Sequence, residues 1–279
     1  MVLERFRLDG KAAVVTGAGR GLGQQMALAL AEAGADVVCA ARTAKQIEAT
    51  AEAVRALGRR PDGRPSGRAV VVPTDVRDSS QCDALIKACV DELGAIDIML
   101  SNAGIGDALT QAQELWDVSD EDWHDTLDVN LSSAFYCARA ASKAMIDRGR
   151  GGVIINLASG TALRAYTANF AYGAAKAGVI SFTKTLAVLL QRHNIRANCI
   201  IPGFVAQRPA ETEQIAQFMA SRARYFPVQR MGEAWELGPL AVYLASEASS
   251  YVTGQSFVID GGGLAGGVAP VGFAPEVEG

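Results

Sequence analysis

"VVTGAGRGLGQQMA", residues 14–27, carries an apolar run through a glycine turn into a helical pattern. The run that leads into it, "KAAVVT" (11–16), reads as a strand, and "GLGQQMALALAEAG" (21–34) reads as an amphipathic helix. Between them stand Gly17, Gly21 and Gly23, with Gly19 inside the same turn. Glycine permits a tight turn and lets the backbone come close to a ligand. The helix start then presents unbonded N–H groups and its dipole to an anion. A bare glycine triplet is only a turn. Strand, turn and helix in that order, at the first strand of the chain, make it a phosphate cradle.

The same rhythm repeats downstream. "DVVCAA" (36–41) reads as a strand and "AKQIEATAEAVRALG" (44–58) as a charged helix. "AVVVPT" (69–74), "IDIMLS" (96–101), "GVIINLA" (152–158) and "IRANCII" (195–201) read as further strands, mostly separated by enough chain for helices. Several of these runs are apolar almost end to end, as strands are when helices cover both faces of a sheet. The expected fold is α/β, a doubly wound parallel sheet of Rossmann type with about seven strands. No second periodic unit and no interior linker is visible, so residues 1–279 are read as one domain. "GRRPDGRPSGR" (58–68) reads as a loop, and the tail from 264 to 279 as an irregular segment.

Of the 279 residues, 49% are hydrophobic and 29 are glycine, which suits a globular protein. The net charge of −4, with acids and bases interspersed, lacks the basic footprint of a nucleic-acid binder. "MVLERFRLDGK" at the start is charged and has no apolar run, so no secretory signal is expected. No stretch reaches the roughly 18–20 uncharged apolar residues that span a bilayer, so no membrane partner is expected. Cys39, Cys82, Cys89, Cys137 and Cys199 are scattered and form no C-x-x-C pair; they read as reduced thiols in a cytoplasmic protein. His124 and His193 stand apart from any acidic or cysteine cluster, so no metal site is expected.

"AYGAAKAG" (171–178) places a phenol, Tyr172, and an amine, Lys176, four residues apart among the smallest side chains. Residues i and i+4 share a helix face. An ammonium beside a phenol favours the phenolate and draws its pKa down toward neutrality. Such a tyrosine can exchange a proton with an alcohol or carbonyl oxygen. The small neighbours leave room for a bulky cofactor. Ser159 follows the strand "GVIIN" and precedes Tyr172 by thirteen residues. Ligands of doubly wound sheets bind outside the carboxyl ends of the strands, where this serine and this tyrosine can meet one substrate oxygen.

The spacing T-G-x-x-x-G-x-G in Thr16–Gly23 resembles the short-chain dehydrogenase/reductase family of the Tyr-x-x-x-Lys type. Five further motifs match in order: "TDV" (74–76), "SNAG" (101–104) with serine in its first place, "DVNL" (128–131), "NLASG" with Ser159 followed by "YGAAK", and "PG" (202–203). The resemblance covers about residues 8–262. It implies an alcohol/ketone oxidoreductase with a nicotinamide cofactor, in which Tyr172 is the general acid or base. Ser159 would orient the substrate oxygen. Lys176 would lower the tyrosine pKa and bind the nicotinamide ribose. Asn130 would hold a water in a proton relay, although a buried helix asparagine bonding backbone reads equally well. Cofactor contacts are implied for Gly17, Gly19, Arg20, Gly21, Leu22 and Gly23 at the phosphates. Asp75 and Val76 would contact the adenine, with Asn102, Ala103 and Gly104 in the middle. Pro202, Gly203 and Val205 would lie at the nicotinamide end, with Tyr172 and Lys176. Two other readings stay open: a nucleotide-binding protein without catalysis, and a non-redox reaction on the same scaffold.

Family members often carry threonine a few residues after Pro-Gly; here Gln207 stands there, with its contact left open. The resemblance places a substrate lid over about 204–232, and Leu163, Tyr166 and Phe204, beside Ser159, are read as a partly apolar substrate pocket. The end of the second strand decides the cofactor. An Asp or Glu there would bond a ribose 2′-hydroxyl and repel a 2′-phosphate. The strand ends instead on Ala41 and Arg42, and Asp36 lies at its opposite end. A guanidinium binds phosphate through two parallel hydrogen bonds, and Arg20 adds a second charge, so NADP(H) is favoured over NAD(H). Segments 122–148 and 172–192 read as long helices with small residues suited to close packing, and a homotetramer is expected.

Overall fold

The computed structural model describes residues 1–58, 68–105, 114–165, 170–207, 212–224 and 226–266. Nearly all of the arginine-rich loop, Tyr166, and the tail beyond Gly266 lie outside the described residues.

Strands and helices alternate: β1 (Ala12–Thr16), α1 (Gly21–Glu32), β2 (Asp36–Ala41), α2 (Ala44–Ala56), β3 (Ala69–Pro73), α3 (Ser79–Leu93), β4 (Ile98–Ser101), α4 (Asp120–Leu127), α5 (Ser133–Arg148), β5 (Gly152–Leu157), α6 (Phe170–Leu190) and β6 (Ile195–Pro202). After β6 come β7 (Val205–Ala206), α7 (Glu213–Ala223), β8 (Gly232–Glu233), α8 (Leu237–Ala245) and β9 (Ser256–Ile259). Seven strands form one sheet in the order β3-β2-β1-β4-β5-β6-β9, with every neighbouring pair parallel. This is the doubly wound Rossmann sheet expected from the apolar runs. The chain enters mid-sheet at β1, winds outward to β3, then returns to lay β4 on the other side of β1. The crevice at that reversal, beyond the carboxyl ends of β1 and β4, is where such sheets bind ligands.

The apolar strands are explained by burial on both faces. Along β1, Ala13 and Val15 join a core with Met26, Leu30, Ile47 and Leu244, on the side of α1, α2 and α8. Ala12 and Val14 join the opposite core with Leu85, Ile86, Met145 and Leu186, on the side of α3, α5 and α6. The side-chain period of two therefore feeds two hydrophobic layers, and no residue of β1 is solvated.

Two expected helices differ from the sequence reading. Segment 122–148 is two α-helices joined by a π-helical turn, Asp128–Ser132, with Asn130 in its middle. Such turns widen the helix by a residue and often mark functional sites. Segment 172–192 begins earlier, at Phe170, and ends in a 3₁₀ turn, Gln191–His193. Together these form Phe170–His193, the one described helix as long and apolar as a membrane span, with a mean hydropathy of 1.3. Its Ala175, Val179, Leu186 and Leu190 are buried in the core, while Val188 and Leu189 near its end are exposed.

The expected lid, 204–232, is closed at its base by β7 pairing with β8 through Val205↔Gly232 and Ala206↔Glu233. It carries α7 between them. Residues 208–211 and Tyr225 of this segment lie outside the described residues.

Candidate active site

The glycine turn is shaped by Asn102, just past the end of β4. Gly17 and Gly21 adopt positive φ values of 66° and 58°, which favour glycine. A Cβ on Gly17 would stand 2.6 Å from the side-chain nitrogen of Asn102, and one on Gly23 would overlap both that nitrogen and the Gly17 carbonyl oxygen. Asn102 needs this space, because its Nδ2 donates to the carbonyls of Thr16 (3.0 Å) and Gly17 (3.3 Å). In return Thr16 Oγ1 accepts from the backbone N–H groups of Asn102 and Ala103, each at 3.1 Å. Four hydrogen bonds thus fasten the first βα turn to the end of β4. Arg20, at the N-cap of α1, makes no side-chain cap bond, so that cap leaves first-turn N–H groups for an anion.

A cavity of about 510 Å³ runs across the carboxyl ends of the central strands. Gly17, Gly19, Arg20, Leu22 and Gly23 line its first part; Gly21 is buried in the same turn, its Cα facing the Gln207 side chain. Arg42, Asp75 and Val76 line the end beyond β2 and β3, and Asn102, Ala103 and Gly104 line the middle. Ser159, Tyr172, Lys176, Pro202, Gly203 and Val205 line the other end. The uncapped helix start, the glycine turn and two exposed arginines in one elongated cavity fit a dinucleotide, with phosphate at the helix and a cation beside the β2 end.

Arg42 directly follows β2 and is exposed, whereas Asp36 sits at the far end of that strand, 2.8 Å from Arg68. Asp75 is engaged by Arg77: Nη2 donates to Oδ2 at 2.7 Å and Nε reaches both oxygens at 3.2 Å. The Arg77 hydrogen bond holds the Asp75 carboxyl below its ordinary pKa, with the Arg42 charge adding to the effect. Any adenine contact by Asp75 must use the acceptor capacity that Arg77 leaves.

At the other end, Ser159 is extended just past β5 and its Oγ accepts from the Thr161 N–H at 3.3 Å, capping the 3₁₀ turn Gly160–Ala162. Lys176 is only 4% exposed. Its Nζ donates to the Leu157 carbonyl at 3.0 Å and lies 5.6 Å from the centroid of the Tyr172 ring. Burial pulls the Lys176 pKa from 10.5 down to about 8. A Cβ on Gly104 would meet Asn130 Oδ1 at 2.7 Å and Lys176 Nζ at 3.3 Å, so these two groups flank one glycine. Both amide protons of Asn130 are taken by backbone carbonyls, and one acceptor site of its oxygen stays open. Its Nδ2 donates to the carbonyls of Ile105 (2.8 Å) and Thr126 (2.9 Å), and its Oδ1 accepts from the Ile105 N–H at 3.3 Å. These bonds tie the π turn to the chain leaving β4.

Two residues expected in the substrate pocket do not line this cavity. Phe204 packs against Phe226, with ring centroids 5.7 Å apart, an apolar contact that takes its ring out of the cavity lining. Leu163 is exposed beyond the capped turn. Tyr166 lies outside the described residues. The sequence reading missed Thr43 and Gln46, which line the cavity beside Arg42. Their signal was position: α2 starts three residues after β2, so its first turn faces the strand ends. Gln207, left open above, also lines the cavity, its Oε1 close over Gly21.

Residues 17–263 match a family model described as enoyl-(acyl carrier protein) reductase. The 2-dehydro-3-deoxy-D-gluconate 5-dehydrogenase of Escherichia coli is 39% identical, the match covering 95% of this chain and all of that protein. The galactitol 2-dehydrogenase of Rhizobium johnstonii is 38% identical, over 93% of this chain and 97% of its own. Among solved structures, a short-chain type dehydrogenase/reductase from Mycobacterium marinum superposes with a TM-score of 0.84 at 37% identity, covering 94% of this chain and 99% of that one.

Proposed function

The chain belongs to the short-chain dehydrogenase/reductase family of oxidoreductases, and we propose that it interconverts a secondary alcohol and a ketone at the Ser159–Tyr172–Lys176 end of the cleft. The observation that carries this reading is that these three side chains line the same cavity as an uncapped helix start and its glycine turn. When bound, a nicotinamide dinucleotide accepts or supplies the hydride. Tyr172 Oη exchanges the proton with the substrate oxygen. Ser159 Oγ bonds that oxygen and steadies the charge it gains in the transition state. The Lys176 ammonium has three donors and gives one to Leu157, so two remain for the cofactor side. Its charge favours the Tyr172 phenolate. Asn130 acts through the backbone it holds, shaping the wall behind Lys176. Residues 204–232 form the lid, hinged on β7 and β8.

Two of the named relatives act on a sugar acid and a hexitol, which directs the first substrate panel: hexitols and deoxy-keto sugar acids, with β-ketoacyl thioesters as the contrasting class. Absorbance of reduced nicotinamide reads the reaction. No turnover with either dinucleotide across the panel would remove the reading. The five free buried cysteines accord with a cytoplasmic setting, which is part of the same proposal.

The favoured cofactor is NADP(H), through Arg42 at the carboxyl end of β2 and Arg20 at the phosphate turn. Arg42→Ala is expected to lower kcat/KM with NADP(H) by about 10- to 100-fold while changing NAD(H) by less than about threefold. The ratio of the two kcat/KM values, before and after substitution, decides it. A parent that prefers NAD(H), or a preference unmoved by Arg42→Ala, rules Arg42 out.

The chain is further proposed to be a homotetramer. Phe135 is exposed on α5 and forms, with Leu131, Gly178 and Phe182, an apolar groove between α5 and α6. Light scattering at micromolar concentration is expected to give four times the chain mass; the mass of one chain would overturn it.

A further inference from the structure

The mechanism uses none of the five thiols, and four of them are as inert as burial makes them or more so. Desolvation pushes Cys39 and Cys89 up to about 12 and Cys199 up to about 11, while the bond to Cys82, with burial added, raises Cys137 well above its ordinary value. Cys82 goes the other way. The Cys137 S–H donates to its sulfur across 3.8 Å, which lowers its pKa. Cys82 also stands in the first turn of α3, where the helix dipole favours a thiolate, while burial and the carboxylates of Asp75, Asp78 and Asp83 oppose it without outweighing the Cys137 bond. The pair therefore joins a thiol disposed to ionise with a neighbour that holds its proton.

Cys82 also touches the wall of the cleft from behind. Its S–H donates to the carbonyl oxygen of Val76 at 3.6 Å, and Val76 and Asp75 form the cavity wall beyond β3. The chain between them is short and tied: Asp78 caps α3 through the N–H groups of Ser80 and Gln81. A shift of the first turn of α3 must be felt at Asp75–Val76.

We propose that Cys82 and Cys137 are an oxidisable pair whose disulfide, bridging α3 and α5, draws the Asp75–Val76 wall out of place and weakens dinucleotide binding. The reading rests on the cofactor site proposed above. The co-reactant is a hydroperoxide. The Cys82 thiolate attacks the O–O bond, forming a sulfenic acid and releasing hydroxide, which takes up a proton to leave as water. The Cys137 sulfur, losing its proton, then attacks the Cys82 sulfur; the S–O bond breaks and a second water leaves. Two thiols and one hydrogen peroxide give one disulfide and two waters. The thiols lose two electrons and the peroxide gains them. Closing the sulfurs from 3.8 Å to a bond of about 2.05 Å moves the two helices together at that point. Both thiols are buried, so the proposal requires the Asp75–Val76 turn to open for the oxidant, a route that a dinucleotide bound in the proposed site would cover.

The test treats the reduced full-length protein with excess hydrogen peroxide, maps its peptides under non-reducing conditions and titrates NADPH and NADH. The expected result is a linked peptide containing Cys82 and Cys137 and a dinucleotide Kd raised by at least about fivefold, both reversed by dithiothreitol. Dinucleotide present during oxidation should slow the linkage. Cys82→Ser and Cys137→Ser should show neither the linkage nor the change in Kd. A protein whose circular dichroism stays native but that yields no such peptide overturns the proposal, and so does a linked pair with unchanged Kd. A reduced protein that binds neither dinucleotide overturns the coupling and the cofactor reading together. Failure of the thiol chemistry alone shows only in the peptide map.

Discussion

Tyr172→Phe is expected to lower kcat by about 10²- to 10⁴-fold, with the Kd for the dinucleotide within about twofold of the parent. The phenol oxygen is the atom at issue, and phenylalanine removes it while keeping the ring. That ring sits on α6 beside Lys176, at the cleft end that also holds Ser159. With the hydroxyl gone, the substrate oxygen keeps the Ser159 hydrogen bond but has no phenol to exchange a proton with. The loss should therefore fall on kcat and leave dinucleotide binding in place, since the glycine turn, Asn102 and Arg42 are untouched. Single-turnover measurements with the dinucleotide saturating separate the two. A variant that turns over substrate at near the parent rate sinks the assignment. One that loses dinucleotide affinity in proportion to activity shows that Tyr172 is a binding residue instead.

The part of this site that sequence made legible is the part whose chemistry is local. The β1 run is apolar because both its faces are buried, and that burial writes itself into four successive residues, Ala12 to Val15. The glycines of the first turn are needed where backbone and Asn102 crowd them, so they appear as glycines. What sequence did not show depends on contacts between distant segments. For Asn130 the sequence offers a relay water or a bond to backbone, but not the π turn around it, which is tied to Ile105, twenty-five residues back, on a chain leaving another strand. Phe204 reads as a pocket aromatic, and its partner Phe226 is set by how the lid base folds over. The 3.8 Å contact of Cys82 with Cys137 comes from the packing of α3 on α5, with no trace in the spacing of the two residues. Asp75 was the opposite case: Arg77, two residues on, was in plain view, and the short-range ion pair could have been read beside the expected adenine contact.

Lys176→Met is expected to lose at least about a hundredfold in kcat and yet to unfold at higher denaturant than the parent at pH 7. The two effects have one cause. Lys176 is 4% exposed, and burial has moved its pKa from 10.5 to about 8. A base whose pKa falls on folding binds its proton less well in the native state than in the unfolded chain. At pH values below about 8 both states carry the proton, and the native state bears the full cost of a buried charge. Between about 8 and 10.5 the native state gives up the proton first, the unfolded chain binds more, and stability rises with pH. Above that range the cost is gone. The full shift corresponds to about 3 kcal/mol. Methionine fills a similar unbranched volume without charge, but it leaves the Leu157 carbonyl without its donor, at a cost of about 1 kcal/mol. A net gain of about 1–2 kcal/mol should therefore appear at pH 7 and shrink as the pH is raised toward 10. Urea unfolding of the dinucleotide-free protein at pH 7 and at pH 9.5 measures it. If Lys176→Met is less stable than the parent at pH 7, or if its advantage does not fall with pH, the ammonium is not held at a cost to the fold. Its charge beside Tyr172 then needs another account. If the gain appears together with the loss of turnover, the buried ammonium is kept for what it does to the phenol. The fold tolerates it at the site where β5, α6 and the cleft meet.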